Sequence, residues 1–124
     1  MKLGEREIDL LEELWDGGEM TAADVQRRLQ GRGIDLAFNS VQTMLGRLHE
    51  KGAVSRRLEG RTYYYEAAAK QRNVAGGAVK RLAARFFGGS RAELAAHLVQ
   101  SGLKQGDLDR LQALIDEQRR KAKK

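Results

Sequence analysis

Residues 39–52 read NSVQTMLGRLHEKG, and the spacing of their apolar side chains predicts how this part of the chain folds. Val41, Leu45 and Leu48 recur at intervals of three or four residues, which predicts an amphipathic helix with one buried side. The opposite side would carry polar or small residues and one arginine: Asn39, Ser40, Gln42, Thr43, Gly46 and Arg47. A solvated helix face usually carries Glu and Lys pairs. This composition therefore favours a face that meets a partner.

The ends and the middle of this helix carry further signals. Asn39 can cap the N-terminus with its side chain, with Gln42 at the third helical position, and Gly52 supplies a residue that ends many helices. Gly46 lies mid-helix, where glycine costs about 1 kcal/mol relative to alanine. Two interpretations of Gly46 stay open: its backbone approaches a neighbour such as a phosphate, or the site tolerates the loss.

The sequence after the helix predicts a β-hairpin. Val54–Leu58 and Thr62–Glu66 are rich in Val, Thr and Tyr, and Glu59-Gly60 separates them with turn residues. Alternation along a strand puts Tyr64 on the face opposite to its two tyrosine neighbours, so we expect the tyrosines to pack on the sheet. Three arginines cluster toward the predicted tip: Arg56, Arg57 and Arg61.

Two short helices are predicted before this stretch. The first, roughly Glu5–Asp16, carries one apolar stripe, which consists of Ile8, Leu11, Leu14 and Trp15. Thr21 is placed to cap the second helix, which buries Val25 and Leu29. Three short helices followed by a hairpin is the order of a winged helix-turn-helix domain. We assign this domain to residues 1–68.

Residues 69–124 predict three more helices, so the fold class is mostly α with a small β-hairpin wing. Ser90 and Glu93 form a predicted capping box at the start of the middle helix. About 55 residues with a thin apolar stripe on each helix can scarcely bury a core of their own, so we expect a second copy of the chain to complete it. The expected dimerisation residues are Val79, Leu82, Phe86, Leu94, Leu98, Leu108, Leu111 and Ile115. Gly76-Gly77 indicates either a bend between the two units or close helix packing.

The composition excludes several classes of protein. The 124-residue chain has 41% hydrophobic and 32% charged residues and no cysteine, which excludes disulfides and cysteine metal sites. Its two histidines, His49 and His97, fall in different predicted units. No serine stands in a nucleophile motif, so we predict no enzyme, no metal site and no cofactor. Because no apolar run reaches ~18 residues and no signal peptide is recognisable, we expect a cytoplasmic protein without a membrane partner.

The formal net charge of +6 is distributed unevenly along the chain. Residues 1–20 carry two basic and seven acidic side chains, whereas residues 21–60 carry seven basic and four acidic. Residues 61–91 carry seven basic and one acidic, and the tail 119–124 adds five basic. A basic zone inside folded sequence predicts a shaped site for a polyanion, for which nucleic acid is the default partner.

The predicted outer face of the helix and the wing carry side chains of the kinds that contact DNA. Gln42 can bind adenine, Arg47 can bind guanine, and the methyl group of Thr43 can touch thymine. We expect the wing residues to contact phosphates or the minor groove, and these are Arg56, Arg57, Arg61 and Tyr64. Two alternatives remain: a non-specific RNA-binding or ribosome-associated basic module, which the tyrosine run and the basic tail would suit, and a winged helix used only for protein contacts.

Several motifs together resemble the penicillinase-repressor family of bacterial transcriptional repressors, across almost the whole chain. They are Trp15, Val41-Gln42-Thr43 with Arg47-Leu48, Glu50-Lys51-Gly52, Glu59-Gly60-Arg61 with Tyr65, and Phe87-Gly88-Gly89-Ser90. The resemblance implies an N-terminal winged helix-turn-helix that reads a palindromic operator, and a C-terminal helical unit that forms a homodimer. It places four residues at contact positions of the recognition helix: Ser40, Gln42, Thr43 and Arg47. Gly46 departs from the larger polar residue often found there.

The resemblance leaves the inducing signal open. Some members are inactivated by a protease at an Asn-Phe bond, which would align with His97-Leu98 here, and copper-responsive members carry a C-terminal cysteine cluster. This chain has neither motif. Neither route of induction carries over, and an inactivating protease and an unknown inducer stay open as partners.

Overall fold

The computed structural model describes residues 1–123 and is mostly helical with one small antiparallel sheet, which confirms the predicted fold class. The elements in chain order are α1 Glu5–Gly17, β1 Met20–Thr21, α2 Ala22–Gly31, α3 Phe38–Glu50, β2 Val54–Glu59, β3 Thr62–Ala67, α4 Gln71–Phe86, α5 Arg91–Gln100 and α6 Gln105–Ala122. The chain divides into two compact units, Met1–Gly77 and Ala78–Lys124. The predicted domain boundary after residue 68 precedes α4, whereas this division falls inside α4. Lys124, the last residue of the predicted basic tail, lies outside the described residues.

Helices α1, α2 and α3 of the first unit share one apolar core. The side chains that are at most 2% exposed include Leu10, Leu11 and Leu14 of α1, Val25 and Leu29 of α2, and Val41, Leu45 and Leu48 of α3. Each such side chain contributes roughly 1.5–3 kcal/mol by leaving water. Trp15 is only partly buried, and its indole N–H donates to the carbonyl of Ala69 at 2.8 Å. The predicted inner side of α3 is thus confirmed, and its other side faces solvent.

The start of α2 has the predicted cap. The hydroxyl of Thr21 accepts from the backbone N–H of Asp24 at 3.2 Å, and the carboxylate of Asp24 accepts from the N–H of Thr21 at 3.1 Å. This reciprocal pair satisfies two donors that a helix start leaves without partners. The bond from the Thr21 N–H is the largest cause of a lowered pKa for the Asp24 carboxyl.

The start of α3 differs from the sequence prediction. The helix begins at Phe38, after an extended Ala37 that provides no side-chain cap, so the predicted cap by Asn39 with Gln42 is wrong. Asn39 is already helical, and its carbonyl accepts from the hydroxyl of Thr43 at 2.9 Å. The first helical residue, Phe38, is 40% exposed and does not belong to the core that buries Val41.

The sheet contains a third strand that the sequence analysis missed. The predicted hairpin is confirmed as β2 and β3, with Arg57 opposite Tyr64. The two-residue β1 pairs with the other edge of β3, with Met20 opposite Tyr65, so the strand order is β1-β3-β2. Two residues carry no readable alternation, which is why β1 could not be predicted. The strand ties the wing to the residues that begin α2.

Helix α4 runs without a break through Gly76-Gly77, at the division between the two units. A methyl group added at Gly76 would meet no described atom within 4 Å, so packing inside this chain does not require glycine there. Ser90 caps α5 by accepting from the N–H of Glu93 at 3.1 Å. The second bond of the predicted capping box, from the N–H of Ser90 to the carboxylate of Glu93, is not formed. The N–H of Ser90 donates instead to the carbonyl of Phe87 at 2.9 Å.

The second unit buries little of its apolar surface within one chain. Ala83 and Leu94 are buried, whereas no described side chain of α6 is buried. The large apolar side chains left exposed in this unit are Val79, Leu82, Phe86, Leu98, Val99, Leu111, Leu114 and Ile115. Six of them are predicted dimerisation residues, and Val99 and Leu114 are additions. Of the other two predicted residues, Leu108 is half-buried and Leu94 belongs to the unit's own small core.

Candidate nucleic-acid interface

The face of α3 opposite the core carries the side chains predicted to meet a partner. Asn39, Gln42, Thr43 and Arg47 are exposed, and Ser40 and Gly46 are half-buried. The first turn of α3 holds no acidic residue. A methyl group added at Gly46 would meet no described atom within 4 Å, so packing inside this chain does not require glycine there. The face is therefore polar, nearly uncharged and accessible.

A groove of about 290 Å³ lies between the start of α3 and the hairpin. Its lining residues are Thr21, Ala22, Ala23, Phe38, Gln42, Arg61, Thr62, Tyr63 and Tyr65. Gln42 of the predicted recognition helix and Arg61 of the predicted wing thus line one surface although they are distant in sequence. Phe38 is 40% exposed at this groove and was missed, because its position before the expected cap assigned it to a loop.

The hairpin has two faces with different chemistry. On the face that lines the groove, the guanidinium of Arg56 lies 4.3 Å from the ring centre of Tyr63, and the rings of Tyr63 and Tyr65 are 6.2 Å apart. On the other face, the guanidinium of Arg57 lies 4.5 Å from the ring centre of Tyr64. The predicted alternation of the tyrosines is confirmed. Since Tyr65 is buried and the other two rings are each covered by an arginine, they do not form a continuous platform for stacked bases.

Arg57, a predicted phosphate contact, is paired with two carboxylates. Its Nε and Nη2 donate to the two oxygens of Glu19 at 3.0 and 2.8 Å, and its Nη1 donates to Glu59 at 2.6 Å. The bond to Glu19 is the largest cause of a raised pKa for Arg57, and the same bond lowers the pKa of Glu19. The guanidinium of Arg57 therefore stays protonated, and its positive charge is already balanced by the carboxylates of Glu19 and Glu59.

The acidic N-terminal segment pairs with the arginines of α2. Glu13 accepts from Arg28 at 2.9 Å and from Arg32 at 2.6 Å, and its side chain is only 9% exposed. These bonds are the largest causes of raised pKa values for both arginines. Six of the seven acidic side chains in residues 1–20 form ion pairs within this unit, and Glu5 is the exception among the described residues.

Other cations of the first unit form no ion pair with a carboxylate among the described residues, although the charge of Arg47 contributes to the lowered pKa of Glu7. They are Lys2, Arg47, Arg56, Arg61, Lys70 and Arg72, whereas Arg6, Arg27, Arg28, Arg32, Lys51 and Arg57 form ion pairs. Arg47 is on the exposed face of α3, Arg61 lines the groove beside it, and Arg56 is on the hairpin face that lines the same groove. Three of these six cations therefore lie on the exposed side of α3 and on the wing beside it.

Other kinds of site are not found in the part of the chain that the structure describes. No group of His, Asp and Glu side chains among residues 1–123 is arranged to hold a metal ion. No helix in that range has the length and apolarity that a membrane span requires.

Three helices, an antiparallel hairpin and an exposed third helix define a winged helix-turn-helix protein. The sequence model of the family described as penicillinase repressor matches residues 3–117. The chain therefore belongs to the penicillinase repressor family, and it is a DNA-binding transcriptional repressor, not an enzyme. A comparison with curated proteins gave no significant match.

Solved structures resemble the fold at low sequence identity. The solution structure of the DNA-binding domain of the repressor BlaI is 24% identical with a TM-score of 0.50, and the match covers 56% of this chain and 84% of that one. A MarR family protein from Bacillus stearothermophilus is 12% identical with a TM-score of 0.53, covering 100% and 78%. The YusO protein from Bacillus subtilis is 12% identical with a TM-score of 0.54, covering 95% and 75%. At these identities the likeness concerns the fold.

Proposed function

We propose that α3 enters the major groove of double-stranded DNA and reads its sequence, with the hairpin as a wing over the backbone. The observation that supports this most is an exposed polar face with three arginines around it that form no ion pair among the described residues: Arg47, Arg56 and Arg61. Attraction to phosphates requires cations that are not already neutralised. A helix can read bases only if its side chains project from a rigid support, which the buried Val41 and Leu45 provide.

Each exposed polar side chain of α3 has a defined role in this proposal. The amide of Gln42 binds adenine, and the guanidinium of Arg47 binds O6 and N7 of guanine. Because the hydroxyl of Thr43 donates to the carbonyl of Asn39, its methyl group is left to touch thymine. Asn39 and Ser40 lie in the first turn, where the positive end of the helix dipole favours a phosphate.

The wing fixes the register of α3 on the duplex. Arg61 lines the same groove as Gln42, so a phosphate held by Arg61 constrains which base pair Gln42 can reach. Arg56 adds a second cation on that face of the hairpin. Phosphate contacts of this kind position a protein but do not themselves read sequence.

Two copies of the chain bind DNA together. Phe86 is 69% exposed, and α6 runs for 18 residues without one buried side chain among those described. A patch of this kind is rare on a monomeric protein and typical of an interface. Along α6, a groove of about 370 Å³ is lined largely by apolar residues, which include Leu111, Leu114 and Ile115. We therefore assign the dimer interface to the exposed apolar residues of the second unit.

A symmetric dimer reads a palindromic operator and blocks transcription by occupying it. The two α3 helices would bind half-sites about 34 Å apart, or a multiple of that, because this is one turn of B-form DNA. Selection of bound sequences from a random duplex library tests partner, symmetry and specificity together. An inverted repeat is the expected result. A single unrepeated site would contradict the dimer, and a preference for single-stranded RNA would support the RNA-binding alternative.

The salt dependence of binding gives a second test. If about six phosphates are neutralised, affinity falls roughly 10³-fold between 50 and 200 mM salt. Band-shift titrations on the selected duplex and on a scrambled duplex measure this. Arg47→Ala is expected to reduce the preference for the selected duplex by about 1–3 kcal/mol, whereas Arg61→Ala weakens both duplexes alike. Identical behaviour of the two variants would refute this division of roles.

A further inference from the structure

The side chain of Arg57 crosses the whole three-stranded sheet. It starts on β2, its guanidinium lies 4.5 Å from the ring centre of Tyr64 on the middle strand β3, and it ends on Glu19, next to β1. The contact with Glu19 uses two parallel N–H bonds, and a third donor binds Glu59 at the hairpin turn. A bidentate arginine–carboxylate pair fixes orientation as well as distance.

The charge around Arg57 does not favour a phosphate. Two carboxylates, Glu19 and Glu59, surround one guanidinium, so the cluster has a formal charge of −1. Glu66 lies two residues beyond Tyr64 on β3, and strand alternation puts it on the same face. A DNA phosphate that approached Arg57 would have to displace a carboxylate and would meet the other two. Arg56 and Arg61 have no carboxylate partner among the described residues.

The position of Glu19 explains what the cross-sheet contact does. Glu19 directly precedes β1, which pairs with β3 at only two positions, Met20 with Tyr65 and Thr21 with Tyr64. Thr21 is also the cap of α2. Arg57 therefore adds a charged tie between the wing and the start of α2, where the backbone pairing alone is short.

We propose that Arg57 is a positioning residue that fixes the wing against the helix-turn-helix through Glu19, and that the wing contacts DNA only with its opposite face, through Arg56 and Arg61. This inference rests on the proposed binding of DNA by α3 and the wing. Under this proposal Tyr64 supports the guanidinium of Arg57, which lies over its ring, and does not contact a phosphate.

Salt titrations of the full chain on a mixed-sequence B-form duplex separate the two kinds of arginine. Each lost phosphate contact lowers the slope of log affinity against log salt concentration by about 0.9. Arg61→Gln and Arg56→Gln are expected to lower the slope by this amount per site. Arg57→Gln is expected to leave the slope unchanged. It should weaken binding at every salt concentration by the same factor, on the order of threefold to tenfold, because the loosened wing must be ordered on binding.

Hydrogen exchange of the free protein tests the tie without DNA. Arg57→Gln and Glu19→Gln are both expected to speed exchange of the β3 amides, and the double variant is expected to be no faster than either single one. Arg61→Gln is the matched control, because it removes a hairpin arginine that forms no ion pair with the described residues, and it should leave these rates unchanged. The swapped pair Glu19→Arg with Arg57→Glu is expected to restore slow exchange in part.

The outcomes separate this inference from the proposed function. If Arg57→Gln lowers the salt slope as much as Arg61→Gln does, or leaves β3 exchange unchanged, Arg57 is not a positioning residue. If the wild-type slope is flat and no arginine variant alters it, DNA binding by this face fails instead. Unchanged exchange in the Arg61→Gln control shows that a slope change at that site reflects lost contact and not unfolding.

Discussion

The two units of this chain differ in the burial of their large apolar side chains. In Met1–Gly77, three helices and a sheet enclose leucines and valines that are almost fully buried, and the polar face of α3 is left outside. In Ala78–Lys124, helices of similar length leave Phe86, Leu98 and Ile115 in solvent. Helix length and apolar content alone therefore do not make a core. The first unit builds its core within one chain, whereas the second leaves the apolar surface to which we assign the proposed dimer interface.

The largest expected effect comes from placing a charge on the exposed apolar residues of α6. Ile115→Asp is expected to convert the dimer to a monomer, because a carboxylate in an apolar interface is left without a partner. Affinity for the selected palindromic duplex should fall about 100-fold or more, since the second half-site is then bound independently. Light scattering measures the mass, and duplex titration measures the affinity.

Ala113→Asp is the matched control for this substitution. It adds the same charge to α6 at an exposed residue that does not line the apolar groove of that helix. The variant should stay dimeric and bind DNA normally. If both aspartate variants are monomers, or if neither is, the assignment of the interface to the apolar residues of α6 is contradicted.

A core substitution in the first unit should act through folding and not through assembly. Leu45 is 0% exposed between α3 and the rest of the core, so Leu45→Ala should lower the free energy of unfolding by about 2–5 kcal/mol. Leu58→Ala, at a side chain that is 58% exposed, is the control and should change it by less than about 0.5 kcal/mol. Urea unfolding at two protein concentrations measures both.

The concentration dependence of those curves sharpens the contrast between the units. The transition of the first unit should keep its midpoint on dilution, and any transition of the second unit should move to lower urea, because dimers dissociate on dilution. A midpoint for the Leu45→Ala transition that falls on dilution would show that the first unit also depends on the partner copy.

The sequence predicted the elements correctly where the spacing of apolar side chains or a typical capping residue marks them. The inner side of α3, the hairpin and the Thr21 cap were predicted from spacing and residue type, and all three are confirmed. The start of α3 was predicted wrongly, because Asn39 has the chemistry of a cap but the helix continues back to Phe38. Residue type thus identified Asn39 as a good capping residue but did not locate the first residue of the helix, which precedes it.

The candidate site was less predictable, since its electrostatics depend on contacts between distant segments. Arg56, Arg57 and Arg61 look alike in the sequence, yet only Arg57 meets Glu19, which lies 38 residues away. The two-residue strand β1 that brings Glu19 to the sheet has no pattern to detect. Residue type therefore predicted that the wing is basic, but only the fold shows that Arg57 forms ion pairs and that Arg56 and Arg61 form none with the described residues.

One carboxylate, Glu7, is expected to make the stability of the first unit depend on pH in acid solution. Glu7 accepts from Lys51 at 2.8 Å and from the N–H of Gly4 at 2.8 Å, so it joins the start of α1 to the end of α3. Burial raises the pKa of Glu7, but these bonds outweigh it and the net pKa lies below the ordinary 4.5. The stabilisation is therefore present above about pH 4.5 and is lost as pH falls through the lower folded value.

Glu7→Gln should make the unfolding free energy less dependent on pH between neutral and acidic solution. Its effect at neutral pH should be smaller than that of Leu45→Ala, because the side chain at position 7 keeps its size and can still accept from Gly4. Chemical unfolding at several pH values from 7 downward measures the difference between the variant and the wild type. Glu5→Gln is the control, as an exposed carboxylate in the same turn of α1. Equal pH profiles for wild type and Glu7→Gln would contradict the role of this contact.

The smallest expected effect separates the two interpretations of Gly46. An added methyl group meets no described atom within 4 Å, so Gly46→Ala should raise the free energy of unfolding by about 1 kcal/mol through helix propensity. If the glycine is merely tolerated, DNA affinity stays within about twofold of the wild type, which is the result we expect. A variant that is more stable but binds clearly more weakly would show instead that the backbone at Gly46 approaches the DNA. Urea unfolding and duplex titration of one preparation supply both numbers, and the comparison then separates what α3 contributes to the core from what it contributes to the interface.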